Sequence, residues 1–297
     1  MNSTINLAII GAQKAGTTSL NKYLAQHPNI YTHFTQEFSM LASIEDFNKG
    51  LEKNIQETVQ KSILDNFQKN CFVVKRVGVM YNEEMMQKFH KAFPDCKIIV
   101  ILRNPVDRAF SAFKYCRMSG MEPYKKFEDA IFINDELRFK DKKFKRNCDY
   151  VFRSSYLNPL KNIYKIFPAD NVQIYLFEEI IRNLKQPLNE MVSMLNLPQF
   201  EFNTNKNYNE GAVSKSAMIS KTIAPGNFGR FKKFFSTEQR MKLKLFLKKL
   251  NAGKGKPNEE KLQPLTREHL IDTFKSEVIE IEDFLNLPIK KYWPDFF

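Results

Sequence analysis

The sequence predicts an α/β fold: three layers, with a mainly parallel central sheet flanked by helices, in a single domain over residues 1–297. Three observations predict it. Residues 5–10 (INLAII) form an apolar run of strand length that stops in a small-residue turn, GAQKAG at 11–16. The chain then opens into TTSLNKYLAQ at 17–26, where Leu20, Tyr23 and Leu24 recur at helical spacing. Residues 98–102 are a near-continuous β-branched and leucine run, as a parallel strand covered on both faces requires. Asn104 follows as a helix cap and Pro105 as a first helical residue.

The other elements follow in order. Residues 50–69 read as an amphipathic helix of mixed charge, and CFVVKRVGVMY at 71–81 as a second buried strand. Residues 121–150, rich in Lys, Asp and Phe, read as a helix and a loop outside the sheet. Tyr156, Leu160, Ile163, Tyr164 and Phe167 mark a helix face. NVQIYLFEEI at 171–180 is a buried strand with Glu178 and Glu179 at its end. Helices are expected over 183–196 and 266–285.

Composition narrows the function classes. Of the 297 residues 43% are hydrophobic, yet no run reaches the roughly 18 apolar residues of a membrane span. The N-terminus lacks a basic segment followed by a long apolar one, so a cytoplasmic location is expected. Cys71, Cys96, Cys116 and Cys148 show no C-x-x-C spacing and no nearby histidine pair, which disfavours structural zinc and disulfides. A net charge of +13 points to an anionic partner, whether nucleic acid, membrane surface, cofactor or substrate.

The first turn is built for an anion. Backbone N–H groups at the start of a helix point at whatever sits there, and the helix dipole adds roughly half a positive charge. Gly11 and Gly16 let the backbone wrap closely, Lys14 adds a full charge, and Thr17, Thr18 and Ser19 add hydroxyls. The nucleotide-kinase loop, G-x-x-x-x-G-K-[ST], needs a lysine after its second glycine. Here Thr17 stands there, and the only lysine of the loop is Lys14.

The string GAQKAGTTSL instead resembles the 5′-phosphosulfate loop of the sulfotransferase family, and RNPVDRAFS at 103–111 matches that family's R-[DN]-P-x-[DE]-R-x-x-S at every fixed position. The pattern is closest to glycan (heparan sulfate)-type and bacterial members. The resemblance implies a P-loop-NTPase-like sulfotransferase fold and transfer of a sulfuryl group from 3′-phosphoadenosine 5′-phosphosulfate (PAPS), without a metal. The acceptor would be a hydroxyl or amine of a small metabolite or glycan, and the nucleotide product adenosine 3′,5′-bisphosphate (PAP). It further implies that Lys14, Ala15, Gly16, Thr17, Thr18 and Ser19 hold the 5′-phosphosulfate, and that Arg103 and Ser111 bind the 3′-phosphate. Arginine suits that task because its planar fork makes paired charge-assisted hydrogen bonds. Arg108 is expected to brace the loop or Asp107.

Glycan-type members carry K-E-x-x-[FY]-F, whose glutamate is the proposed base. Gln36-Glu37 with Met40 and Leu41 occupies that place, so Glu37 joins Lys14 as a catalytic candidate, with His33 next in line. Lys75 matches a lysine that cytosolic members hold at the end of a comparable strand, and Lys215 is a further candidate near the cofactor. Lys75 and Arg76 are adjacent in the expected strand and so should point to opposite faces, with at most one toward the site. Two other readings stay open: a P-loop kinase of a small metabolite, and a non-enzymatic protein binding polyanions or nucleic acid through its basic surface. No nucleic-acid-binding motif is recognised, and the acceptor and oligomeric state are not set by these residues.

Overall fold

The computed structural model describes residues 4–32, 37–58, 71–132, 148–205, 213–214, 252–253 and 261–297. His33, Gln36, Lys215, residues 59–69 and most of the basic stretch 226–262 lie outside the described residues. Contacts divide the chain into two compact units, where the sequence suggests no boundary. One comprises Met1–Pro105, Ser155–Asn209 and Asp272–Phe297; the other comprises Val106–Ser154 and Glu210–Ile271.

The first unit holds a five-stranded sheet of β1 (Leu7–Gly11), β2 (Ile30–Thr32), β3 (Cys71–Lys75), β4 (Lys97–Leu102) and β5 (Val172–Leu176). Their order is β2-β3-β1-β4-β5, and every pairing is parallel. Register aligns Leu7 with Val73 on one side and with Lys97 on the other. Ile9, Ile99 and Val100 are fully buried, which is why the central strands read as unbroken apolar runs. Because all strands run the same way, Gly11, Lys75, Leu102 and Leu176 end on one edge of the sheet. Whatever follows them in sequence gathers there, at the edge where open α/β sheets bind ligands.

Helices flank the sheet. Thr17–Leu24 buries Leu20, Tyr23 and Leu24, the residues whose spacing marks the helix. Its Asn21 is also buried and accepts a hydrogen bond from the Thr32 hydroxyl of β2. Glu83–Ala92 is capped by Asn82, whose side chain accepts from the Met85 N–H, and carries acids in its first turn and His90 and Lys91 in its last. Leu157–Ile166 and Lys185–Met194 complete the larger helices of this unit, together with 272–285 of the helix Pro264–Leu285. No described helix is long and apolar enough to cross a membrane.

Two expected strands end early. β3 stops at Lys75; Arg76 donates its N–H to Ile9 O, and the Val79 N–H closes a turn onto Arg76 O. β5 stops at Leu176, and Phe177–Ile180 forms one helical turn with Glu178 and Glu179 at its N-terminal end, where the helix dipole favours acids.

The second unit takes Val106 onward of the helix Pro105–Met118, the helix Phe127–Phe132 and the antiparallel pair Val213–Ser214 and Ala252–Gly253. The rings of Phe113, Phe127 and Tyr150 pack with centroids 5.2–5.9 Å apart. Arg108 is fully buried beside them. Its Nε donates to Ser154 Oγ at 2.7 Å and its Nη2 to Tyr150 O at 2.6 Å, so it braces the 150–154 segment. Asp107 pairs instead with Arg267 at 3.1 Å. Cys116 and Cys148 are buried thiols, not joined as a disulfide, in mutual hydrogen-bond contact, and this contact draws the Cys116 thiol below its ordinary range.

Candidate active site

Gly16 is the N-cap of the first helix and adopts φ 79°, a left-handed conformation that glycine takes without strain. Lys14 is also left-handed, at φ 70°. Inside the turn, the Ala15 N–H donates to Ala12 O at 3.3 Å and the Ser19 N–H to Gly16 O at 3.0 Å. The N–H groups of Gly16, Thr17 and Thr18 have no hydrogen-bond partner among the described residues. Of the N–H groups at 15–19, those at 16–18 are thus the ones with no bond among the described residues. Thr18 is exposed, Lys14 and Gly16 are half-buried, and Ala15, Thr17 and Ser19 are buried.

The second corner meets the first directly. Arg103 follows β4, and its Nη1 donates to Lys14 O at 3.0 Å. The Arg103 carbonyl accepts from Tyr156 OH at 3.0 Å. Tyr156 is itself anchored, because Glu277 accepts from its N–H, from the Leu157 N–H and from Ser155 Oγ. Asn104 N–H donates to Glu178 Oε1 at 3.0 Å, and the other oxygen of Glu178 accepts from Trp293 Nε1 at 2.9 Å. Ser111 lies further along the helix that starts at Pro105; it is half-buried and belongs to the second unit.

Glu37 comes to the same sheet edge. Its Oε1 accepts from Lys75 Nζ at 2.6 Å and its Oε2 from the Val77 N–H at 2.8 Å. Lys75 is buried to 8% exposure and also donates to Thr18 Oγ1 at 3.3 Å. One ammonium therefore links the carboxylate to the anion turn. Arg76 Nε stands 3.9 Å from Glu37 Oε2. Both basic residues thus face Glu37, contrary to the expected alternation, because β3 ends at Lys75 and Arg76 is no longer in a strand. They supply the positive charge that Gln36, standing where the glycan-type pattern has lysine, does not.

The family model for the sulfotransferase domain matches residues 5–255. The chain belongs to the sulfotransferase domain family. Among its relatives is the bifunctional heparan sulfate N-deacetylase/N-sulfotransferase 1 of Caenorhabditis briggsae, 24% identical over 247 residues, covering 81% of this chain and 28% of that protein. Human heparan sulfate glucosamine 3-O-sulfotransferase 5 is 24% identical over 246 residues, covering 76% of this chain and 68% of that protein. The chain thus spans about a quarter of the length of the nematode N-deacetylase/N-sulfotransferases it matches. The crystal structure of a sulfotransferase from Alicyclobacillus acidocaldarius shares the fold, with TM-score 0.60, 22% identity and coverage of 95% of this chain and 96% of that one.

In this sulfotransferase domain, Lys14–Ser19, Glu37 and Arg103 come together at one sheet edge, and Lys75 joins them. Phe177 and Glu178, which follow β5, touch Arg103 and Asn104, and no motif in the sequence marks that role. The acidic pair at the end of an apolar run was the visible signal; the neighbour it serves was not.

Proposed function

We propose that this domain transfers a sulfuryl group from PAPS to a hydroxyl or amine of a glycan or small metabolite. The observation that carries the reading is the Arg103 Nη1 bond to Lys14 O, which joins the two anion-binding corners. Two phosphate corners in contact suit a nucleotide phosphorylated at both 5′ and 3′ positions. The residues fit such a ligand. Gly16, Thr17 and Thr18 offer backbone N–H groups at a helix start, and Lys14 and Arg103 offer charge.

PAPS supplies a sulfuryl group carried on a 5′-phosphate leaving group. The protein's part is positioning and charge stabilisation, as in phosphoryl transfer. Lys14 and the 16–18 N–H groups stabilise negative charge at the leaving phosphate; one such preorganised donor is typically worth about 100- to 1000-fold in rate. Glu37 accepts the acceptor's proton, a role typically worth about 100- to 10,000-fold. Val77 N–H and Lys75 hold its carboxylate in place. Arg103 recognises the 3′-phosphate. The relatives named for heparan sulfate N- and 3-O-sulfation favour a glycan acceptor.

Thermal unfolding with PAP against ADP tests the cofactor, and PAPS turnover over a panel of amino sugars and hydroxylated metabolites tests the acceptor. A rise in Tm with PAP and none with ADP supports the reading. Stabilisation by ADP and magnesium, with ATP turnover, overturns it.

A further inference from the structure

One aromatic ring touches both anion corners. The Arg103 guanidinium carbon lies 4.8 Å from the centroid of the Phe177 ring. The same ring borders the anion turn: a Cβ built on Gly16 would lie 3.0 Å from Phe177 Cε2 and 3.1 Å from Cδ2. Arg103 meanwhile donates to Lys14 O at 3.0 Å. Phe177, Arg103, Lys14 and Gly16 therefore form one closed cluster. Its base is fixed by the next residue, since Glu178 holds Asn104 N–H and the buried Trp293 indole.

We infer that Phe177 is a positioning residue for 3′-phosphate recognition, whose ring holds the Arg103 guanidinium at the Lys14 carbonyl before ligand arrives. The inference rests on the cofactor reading above and goes beyond it, because Phe177 acts through Arg103. An arginine on its free stem samples many rotamers, and ordering it on binding weakens affinity. A ring under the guanidinium moves that ordering into the folded state. It leaves the remaining N–H donors of the fork, beyond the one on Lys14 O, pointed by a rigid frame. A cation–aromatic contact of this kind is worth roughly 2- to 30-fold in an equilibrium. The same ring crowds position 16, where a Cβ would stand 3.0 and 3.1 Å from two of its carbons.

The test is a double-mutant cycle read by calorimetric titration. PAP and adenosine 5′-phosphosulfate, which lacks the 3′-phosphate, are titrated into the unaltered chain, Phe177→Leu, Arg103→Ala and the double variant. Phe177→Leu should weaken PAP about tenfold and adenosine 5′-phosphosulfate less than twofold. In the Arg103→Ala background the same change should cost PAP less than twofold, because contacting residues couple. Phe177→Tyr, which keeps the ring, should bind PAP as the unaltered chain does. Equal losses for both ligands, or equal losses in both backgrounds, overturn the inference and leave the cofactor reading standing. No PAP heat with the unaltered chain overturns that reading and this inference with it. If Phe177→Leu loses its cooperative unfolding transition, Phe177→Met enters the same cycle, with the same outcomes.

Discussion

Gly16→Ala tests the anion turn most directly. Gly16 sits at φ 79° and ψ 3°, the left-handed region, where a Cβ costs about 1–2 kcal/mol. The new methyl would also stand 3.0 and 3.1 Å from two Phe177 ring carbons, so that ring must give by a few tenths of an ångström. It cannot give alone, because the Arg103 guanidinium rests on it at 4.8 Å. Adding strain to crowding gives about 1–3 kcal/mol, within the usual range for a change at a special backbone position. For a chain of 297 residues that lowers Tm by about 2–5 °C. PAP affinity should fall about tenfold as Arg103 shifts. Differential scanning calorimetry and PAP titration read the two effects separately. A Tm within about 1 °C of the unaltered chain, with PAP affinity within about twofold, would refute the packing of Phe177 against this turn.

Three further outcomes follow from particular contacts. Lys75→Met keeps the buried stem but removes the ammonium shared by Glu37 and Thr18, so PAPS-dependent turnover should fall about 100-fold while PAP affinity holds; steady-state kinetics beside calorimetry decide it. Arg108→Ala leaves Ser154 Oγ and Tyr150 O without their buried donor and opens a void, so urea unfolding should show a loss of about 2–4 kcal/mol; a loss under about 1 kcal/mol would contradict the bracing role. Burial pushes the Cys71 thiol up to about 11, against an unfolded value near 9, so at pH 8 its thiolate is on the order of 0.1% rather than about 10%. Iodoacetamide labelling of Cys71, followed by mass spectrometry, should therefore rise about tenfold per pH unit from pH 8 toward 11; a plateau near pH 9 would show an ordinary exposed thiol.

Much of the site was legible because it is local. The turn at 11–16 and the corner at 103–105 each lie within a few residues of the strand that presents them, and a strand, a small-residue turn and a helix start are all visible in one window. What the sequence did not show depends on where strands stop and which strands are neighbours. Lys75 and Arg76 were expected on opposite faces, and that holds only inside a strand; the turn closed by Val79 N–H places both beside Glu37. Glu178 lies 74 residues from Asn104, and only the β4–β5 pairing brings them together. The division into two contact units is likewise non-local, since the two segments of the second alternate along the chain with those of the first.

The Glu178 bridge has an optical consequence. Trp293 is the one tryptophan of the chain, it is fully buried, and its indole N–H ends on a carboxylate whose other oxygen holds the residue after Arg103. Red-edge excitation therefore yields fluorescence from a single known place, one carboxylate away from the Arg103–Asn104 corner. Emission intensity and lifetime become a label-free gauge of that corner, usable with any ligand and before any acceptor is in hand.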